Sequence, residues 1–118
     1  MDCGLCTAVN EDYRIIERTE RAYSMIALTP LVEGHTMVLP RRHTKMEGLT
    51  PEELVEMNAM MTRIKDKQVA LYPNMHPIIA CLSDTQHSSI SDHLHYHLIP
   101  SEANIRKLMA TYDPNIPE

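Results

Sequence analysis

The hydrophobic pattern divides this chain into short apolar runs, two of them strictly alternating, and one long run of helical spacing. Residues 13–20 (YRIIERTE) and 22–28 (AYSMIAL) are rich in Tyr, Ile and Met with polar interruptions and predict two strands, the second ended by Thr29-Pro30. Residues 34–40 (GHTMVLP) run from a Gly to a Pro with His35, Met37 and Leu39 on one face and Thr36 and Val38 on the other, which predicts a third. A helix follows: Thr50 is placed to cap it, Pro51 takes the first helical position and Glu53 completes a T-x-x-E capping box. Leu54, Met57, Met61, Ile64 and Leu71 recur at helical spacing until Pro73, and such a stripe is expected to face the core. Residues 76–83 (HPIIACLS) predict a fourth strand, 84–91 a polar loop, 92–100 (DHLHYHLIP) a fifth strand and 102–112 a short C-terminal helix. Strands, one long helix, then strands again predict an α+β fold in which an antiparallel sheet of about five strands covers one helix.

Composition narrows the class. A chain of 118 residues with 43% hydrophobic and 23% charged positions has the make-up of one globular domain, and no repeat or linker divides residues 1–118. There is no Phe or Trp, so nine Met must fill volume that aromatic rings usually fill. A formal charge of −5 argues against general nucleic-acid binding or an acidic membrane surface, while leaving room for a small anionic ligand held by local positive groups. No apolar run is long enough to span a membrane, and MDCGLC lacks the basic and apolar regions of a secretory signal, so a cytoplasmic location is expected. Three cysteines, an odd number, do not suggest a disulfide framework; Cys3-x-x-Cys6 reads as metal ligands or as free thiols.

The chemistry is concentrated in residues 92–100. Strand alternation places His93, His95 and His97 on one face and Leu94, Tyr96 and Leu98 on the other, packed on the core. At about 3.3 Å of rise per residue, His93 and His97 lie roughly 13 Å apart, too far to share one zinc ion whose nitrogen ligands sit about 2.1 Å from it. The set therefore reads as a nucleophile flanked by helpers, because neutral imidazole is both a nucleophile and a proton carrier near neutral pH.

HLHYHLIP resembles the histidine triad signature, in which three histidines are spaced by apolar residues, of nucleotide hydrolases and transferases. PLVEGHTMVLPRRH (30–43) is similar to the Gly-His strand and basic turn of the same family, and Asp92 stands where the branch of dinucleoside polyphosphate hydrolases and phosphorylases commonly has an acidic residue. The resemblance covers essentially the whole chain. It implies that His95 attacks the α-phosphorus of a nucleotide to form a covalent nucleotidyl-histidine, with His97 on a phosphate oxygen or the leaving group and His35 as a proton relay behind them. It implies structural zinc on Cys3, Cys6, His43 and His93, and a homodimer that pairs its sheets edge to edge.

Several positions depart from that pattern. Relatives usually have Asn or Asp where Ala27 stands, to bind the ribose hydroxyls, and a Gly-punctuated, Asn-containing segment where this chain has Cys81 and a Gly-free loop. Ser88, Ser89 and His87 would have to supply the phosphate donors instead, and Ser101 replaces an Arg after the final Pro. These departures motivate an alternative, a nucleotide- or protein-binding module of the same fold without turnover. A metalloenzyme with an open zinc is a third reading, disfavoured by the distance argument. Arg41 and Arg42 read as a solvated turn more readily than as an anion site.

Overall fold

The computed structural model describes residues 3–81, 93–102 and 115. Five strands, β1 (Ile15–Arg18), β2 (Ala22–Ile26), β3 (Thr36–Pro40), β4 (His76–Cys81) and β5 (Tyr96–Ser101), form one sheet in the order β1-β2-β3-β5-β4. Every neighbouring pair is antiparallel, with Tyr23 opposite Leu39, Met37 opposite His97 and Ala80 opposite His97. Helix α2 (Pro51–Leu71) crosses one face, and a five-residue helix α1 (Gly4–Ala8) lies on the other. The α+β class and the antiparallel sheet over one long helix follow the sequence pattern. Among the described residues no helix is long and apolar enough to cross a membrane.

Alternation divides the core in two. Ala22, Val38, Leu94 and Leu98 pack with Met57, Met60 and Ile64 of α2, and Tyr96 lies against this group. Tyr23, Met25, Ala27, Met37 and Leu39, on the opposite face, pack with Leu5 and Ala8 of α1. The buried methionines take the place of aromatic rings on both sides, as their flexible thioethers allow.

The capping box forms as its sequence predicts: Glu53 N–H donates to Thr50 Oγ1 at 3.1 Å and Thr50 N–H donates to Glu53 Oε1 at 2.9 Å. Glu53 is itself buried, and Arg42 donates to its carboxylate at 2.8 Å, holding that carboxyl below its usual range. The buried stripe of α2 differs from the predicted one. Glu53, Met57, Met60, Ile64 and Gln68 face the sheet, whereas Leu54 and Leu71 are exposed and Met61 is half-buried. Polar Glu53 and Gln68 take core positions because each finds hydrogen-bond partners there, which a count of apolar residues does not register.

The strands are shorter than the pattern implies. A 3-10 turn over Asp12–Arg14 replaces the start of the first predicted strand, and the second ends at Ile26. The fifth begins only at Tyr96, so His93 and His95 precede it. The 102–112 helix, the 84–91 loop and Asp92 lie outside the described residues apart from residue 102, which lies beyond the end of β5.

Candidate active site and metal centre

His95 and His97 face the α1 side of the sheet together with His35, which immediately precedes β3. Their rings form a row: the His95 and His97 centroids are 5.1 Å apart, and those of His97 and His35 are 5.0 Å apart. The hydrogen bonds around them leave little freedom in where the protons sit. Leu31 N–H donates to His35 Nδ1 at 3.1 Å, so neutral His35 must hold its proton on Nε2, and that nitrogen lies 2.8 Å from His97 Nδ1. His97 Nδ1 therefore accepts, and neutral His97 has its N–H at Nε2. Burial, with His95 and His35 beside it, pushes His97 down to about 4, so it is uncharged at neutral pH. Burial likewise lowers His35. His95 Nδ1 donates to the carbonyl of His93 at 2.9 Å, which leaves the lone pair of neutral His95 on Nε2.

All three rings line a cavity of about 630 Å³, a volume suited to a small organic ligand. Met25, Ala27, Met37 and Ile99 of the sheet and its margins line it from one side, and Gly4, Leu5, Thr7 and Ala8 line it from α1. Tyr23 Oη donates to the carbonyl of Leu5 and ties α1 to the sheet.

His93 points elsewhere. Its Nε2–H donates to the carbonyl of Pro40 at 2.9 Å, and its Nδ1 lies 3.4 Å from both Cys3 Sγ and Cys6 Sγ. His43 Nδ1 is 3.3 Å from Cys6 Sγ. The four donor atoms of Cys3, Cys6, His43 and His93 all lie within 4.8 Å of one another. A tetrahedral zinc with bonds of about 2.3 Å to sulfur and about 2.05 Å to nitrogen would hold its ligands about 3.5 Å apart, so the set fits such an ion. Burial and the adjacent Cys3 push the Cys6 thiol up. Burial also lowers His93, which keeps a lone pair available on Nδ1.

Residue 93 thus joins the two groups, its ring in one and its carbonyl holding the His95 ring of the other. The sequence places His35, His43, His93, His95, His97, Cys3 and Cys6 in these groups, and the structure brings them together in two. Ser88 and Ser89 lie outside the described residues. Arg42 is engaged with Glu53 and the carbonyl of Gly48, away from the cavity, in accord with its reading as a turn residue. One residue was missed. Gln68 of α2 donates to the carbonyl of Gly34 at 3.1 Å and to that of Leu98 at 2.9 Å, gripping the chain next to His35 and next to His97. A glutamine in register with Met57, Met60 and Ile64 was the available signal.

A model described as the HIT domain matches residues 8–104. The chain belongs to the HIT domain family. Among its HIT relatives, the adenosine 5'-monophosphoramidase of Saccharomyces cerevisiae is 24% identical over 102 residues, 83% of this chain and 61% of that protein. The AP-4-A phosphorylase of Mycobacterium tuberculosis is 29% identical over 93 residues, 77% of this chain and 48% of that protein. The chain thus spans about half to three fifths of the length of these two relatives. The crystal structure of a Zn-bound histidine triad family protein from Mycobacterium smegmatis superposes with a TM-score of 0.70 at 25% identity, covering 86% of this chain and 76% of that one.

Proposed function

We propose that this protein, as a single domain over residues 1–118, cleaves a nucleotide phosphoanhydride or phosphoramidate at its α-phosphorus. The observation that supports this most directly is His95: its Nδ1–H is engaged by the His93 carbonyl at 2.9 Å, and its ring lines the cavity. His95 Nε2 forms a bond to phosphorus as the bond from phosphorus to the leaving oxygen or nitrogen breaks. A phosphate leaving group departs as the anion with the electron pair; an amine departs after taking a proton from solvent. Water then attacks the nucleotidyl-histidine, the phosphorus–nitrogen bond breaks, and the water's proton passes to solvent.

In this reading His97 donates its Nε2–H to a phosphoryl oxygen. His35 serves as the donor that fixes the His97 tautomer, because an amide N–H on its far side cannot pass a proton onward. Ser88 and Ser89 are proposed as further phosphate donors. Cys3, Cys6, His43 and His93 would hold zinc, which supplies a structural tie with no position left open for chemistry. The Zn-bound relative and the donor geometry both support this assignment. β4 is an edge strand with Ile79 half exposed, so pairing two such edges would give a homodimer. A reducing, cytoplasmic setting suits the free thiols.

Incubation with an adenosine phosphoramidate and a dinucleoside polyphosphate, followed by mass spectrometry, should find a nucleotide adduct on His95. No adduct and no turnover across both would sink the reading. The buried Ala27, which lines the cavity without a polar group, favours a second reading of binding without turnover. Nucleotide affinity unchanged in His95→Ala, with no product formed by either protein, would establish that alternative.

A further inference from the structure

Apart from the histidines, the described lining of the cavity has only two ionisable side chains, Glu11 and Arg14. They face each other at 3.0 Å across the 3-10 turn before β1, whose backbone closes with Arg14 N–H donating to the carbonyl of Glu11. As an exposed i, i+3 pair they would be an unremarkable turn contact of little energetic consequence. The Arg14 side chain, however, is only 15% exposed and forms part of an otherwise apolar wall, while Glu11 is 39% exposed. Arg14 is also close enough to Tyr23, on the cavity side of β2, to influence its ionisation. Their mutual contact uses one guanidinium N–H and one carboxylate oxygen, and a guanidinium has five donors and a carboxylate two oxygens, so the pair can also meet a polar edge of a ligand in the cavity.

Their position in the sheet says which part of a ligand that would be. Arg14 directly precedes Ile15, which pairs with Met25 at the β1–β2 edge, whereas His35 immediately precedes β3 and His97 lies in β5. Two to three strand spacings of about 4.8 Å separate them, roughly 10 to 14 Å. That is the reach from the phosphorus of a mononucleotide to the far edge of its base.

We infer that Glu11 and Arg14 read the base: Glu11 accepts from an exocyclic amino group and Arg14 donates to the neighbouring ring nitrogen. The pair determines specificity, preferring an amino-bearing heterocycle such as adenine. This rests on the nucleotide reading above and adds what that reading leaves open, the identity of the base.

Calorimetric titration of the full chain with AMP and with purine riboside 5'-monophosphate, which lacks only the amino group, tests it. The wild type should bind AMP about tenfold more tightly, the discrimination expected when a charged acceptor at the cavity wall loses its donor. Glu11→Ala should bring the ratio close to one, and the near-isosteric Glu11→Gln should reduce it, which keeps the test open should the alanine variant fold poorly. Equal affinities in the wild type, or a ratio unchanged in the folded Glu11 variants, would overturn the inference. Binding of neither nucleotide by the wild type would instead bring down the nucleotide reading, and this inference with it.

Discussion

The two faces of the sheet are held by different physics. On the α2 face a 21-residue helix with a complete capping box buries Met57, Met60 and Ile64 against Val38 and Leu98. On the other face a helix of five residues brings only Leu5 and Ala8, and its place depends on discrete ties: the Tyr23 hydroxyl, the Cys3 and Cys6 donors, and Arg18 donating to the carbonyl of Val9 at 2.7 Å. Burial distributes its stabilisation over many contacts and tolerates the loss of any one; a few polar ties do not. The face built by burial supports, and the face built by ties carries the cavity and the histidine row.

The sharpest way to break this contrast is at His95. His95→Ala should cut turnover by about 10⁴-fold or more, as loss of a covalent nucleophile does, with a melting temperature within a few degrees of wild type. A variant that lost both together would show that the histidine row is part of the framework. Metal removal comes next. Stripping a bound ion with a chelator should lower the melting point by about 10 °C or more, through loss of a ligand that binds only the folded state, and the same treatment of Cys6→Ser should change it far less. Equal responses would place the stabilising ion elsewhere.

Met60→Ala probes the opposite face. Met60 is fully buried, so the substitution should cost about 2–5 kcal/mol in urea unfolding while turnover per folded molecule stays near wild type. The histidine row makes a pH prediction. Between its ordinary 6.5 and about 4, the unfolded chain holds a proton on residue 97 that the folded chain lacks, so acidification drains stability across that window and alkalinity above it changes nothing at this site. His97→Gln should flatten that part of the melting-temperature profile, although His35, also lowered by burial, keeps part of the slope. The smallest effect belongs to the helix cap, where Thr50→Ala should cost about 1 kcal/mol with no change in activity.

Much of this was legible in residue spacing. Short apolar runs bounded by Gly, Pro and polar residues located all five strands, Thr50-Pro51 with Glu53 located the helix start, and Cys3, Cys6, His43 and His93, the set that the family resemblance implied, form a spatial cluster. What spacing could not give was whatever depends on partners far along the chain. The face of α2 was misjudged by one position because Gln68 is buried on the strength of two carbonyls, those of Gly34 and Leu98. The histidine segment was read as one strand, yet β5 starts at Tyr96. The ring of His93 is drawn to Pro40 and the thiols, and Leu94 N–H donates to the carbonyl of Thr44 at 2.8 Å in place of a ladder bond. Helix α1 escaped notice altogether, since five residues leave no periodicity to detect.

That brevity of α1 bears on how the molecule is made. A helix of one and a half turns has no persistence in water, so Gly4–Ala8 stays shapeless until a sheet exists to receive it. The imidazole that meets the Cys6 thiol of α1 and the Cys3 thiol at its start is residue 93. Seating α1 therefore waits on a segment 87 to 90 positions further along the chain, and the cavity is walled on both sides only once the two have met.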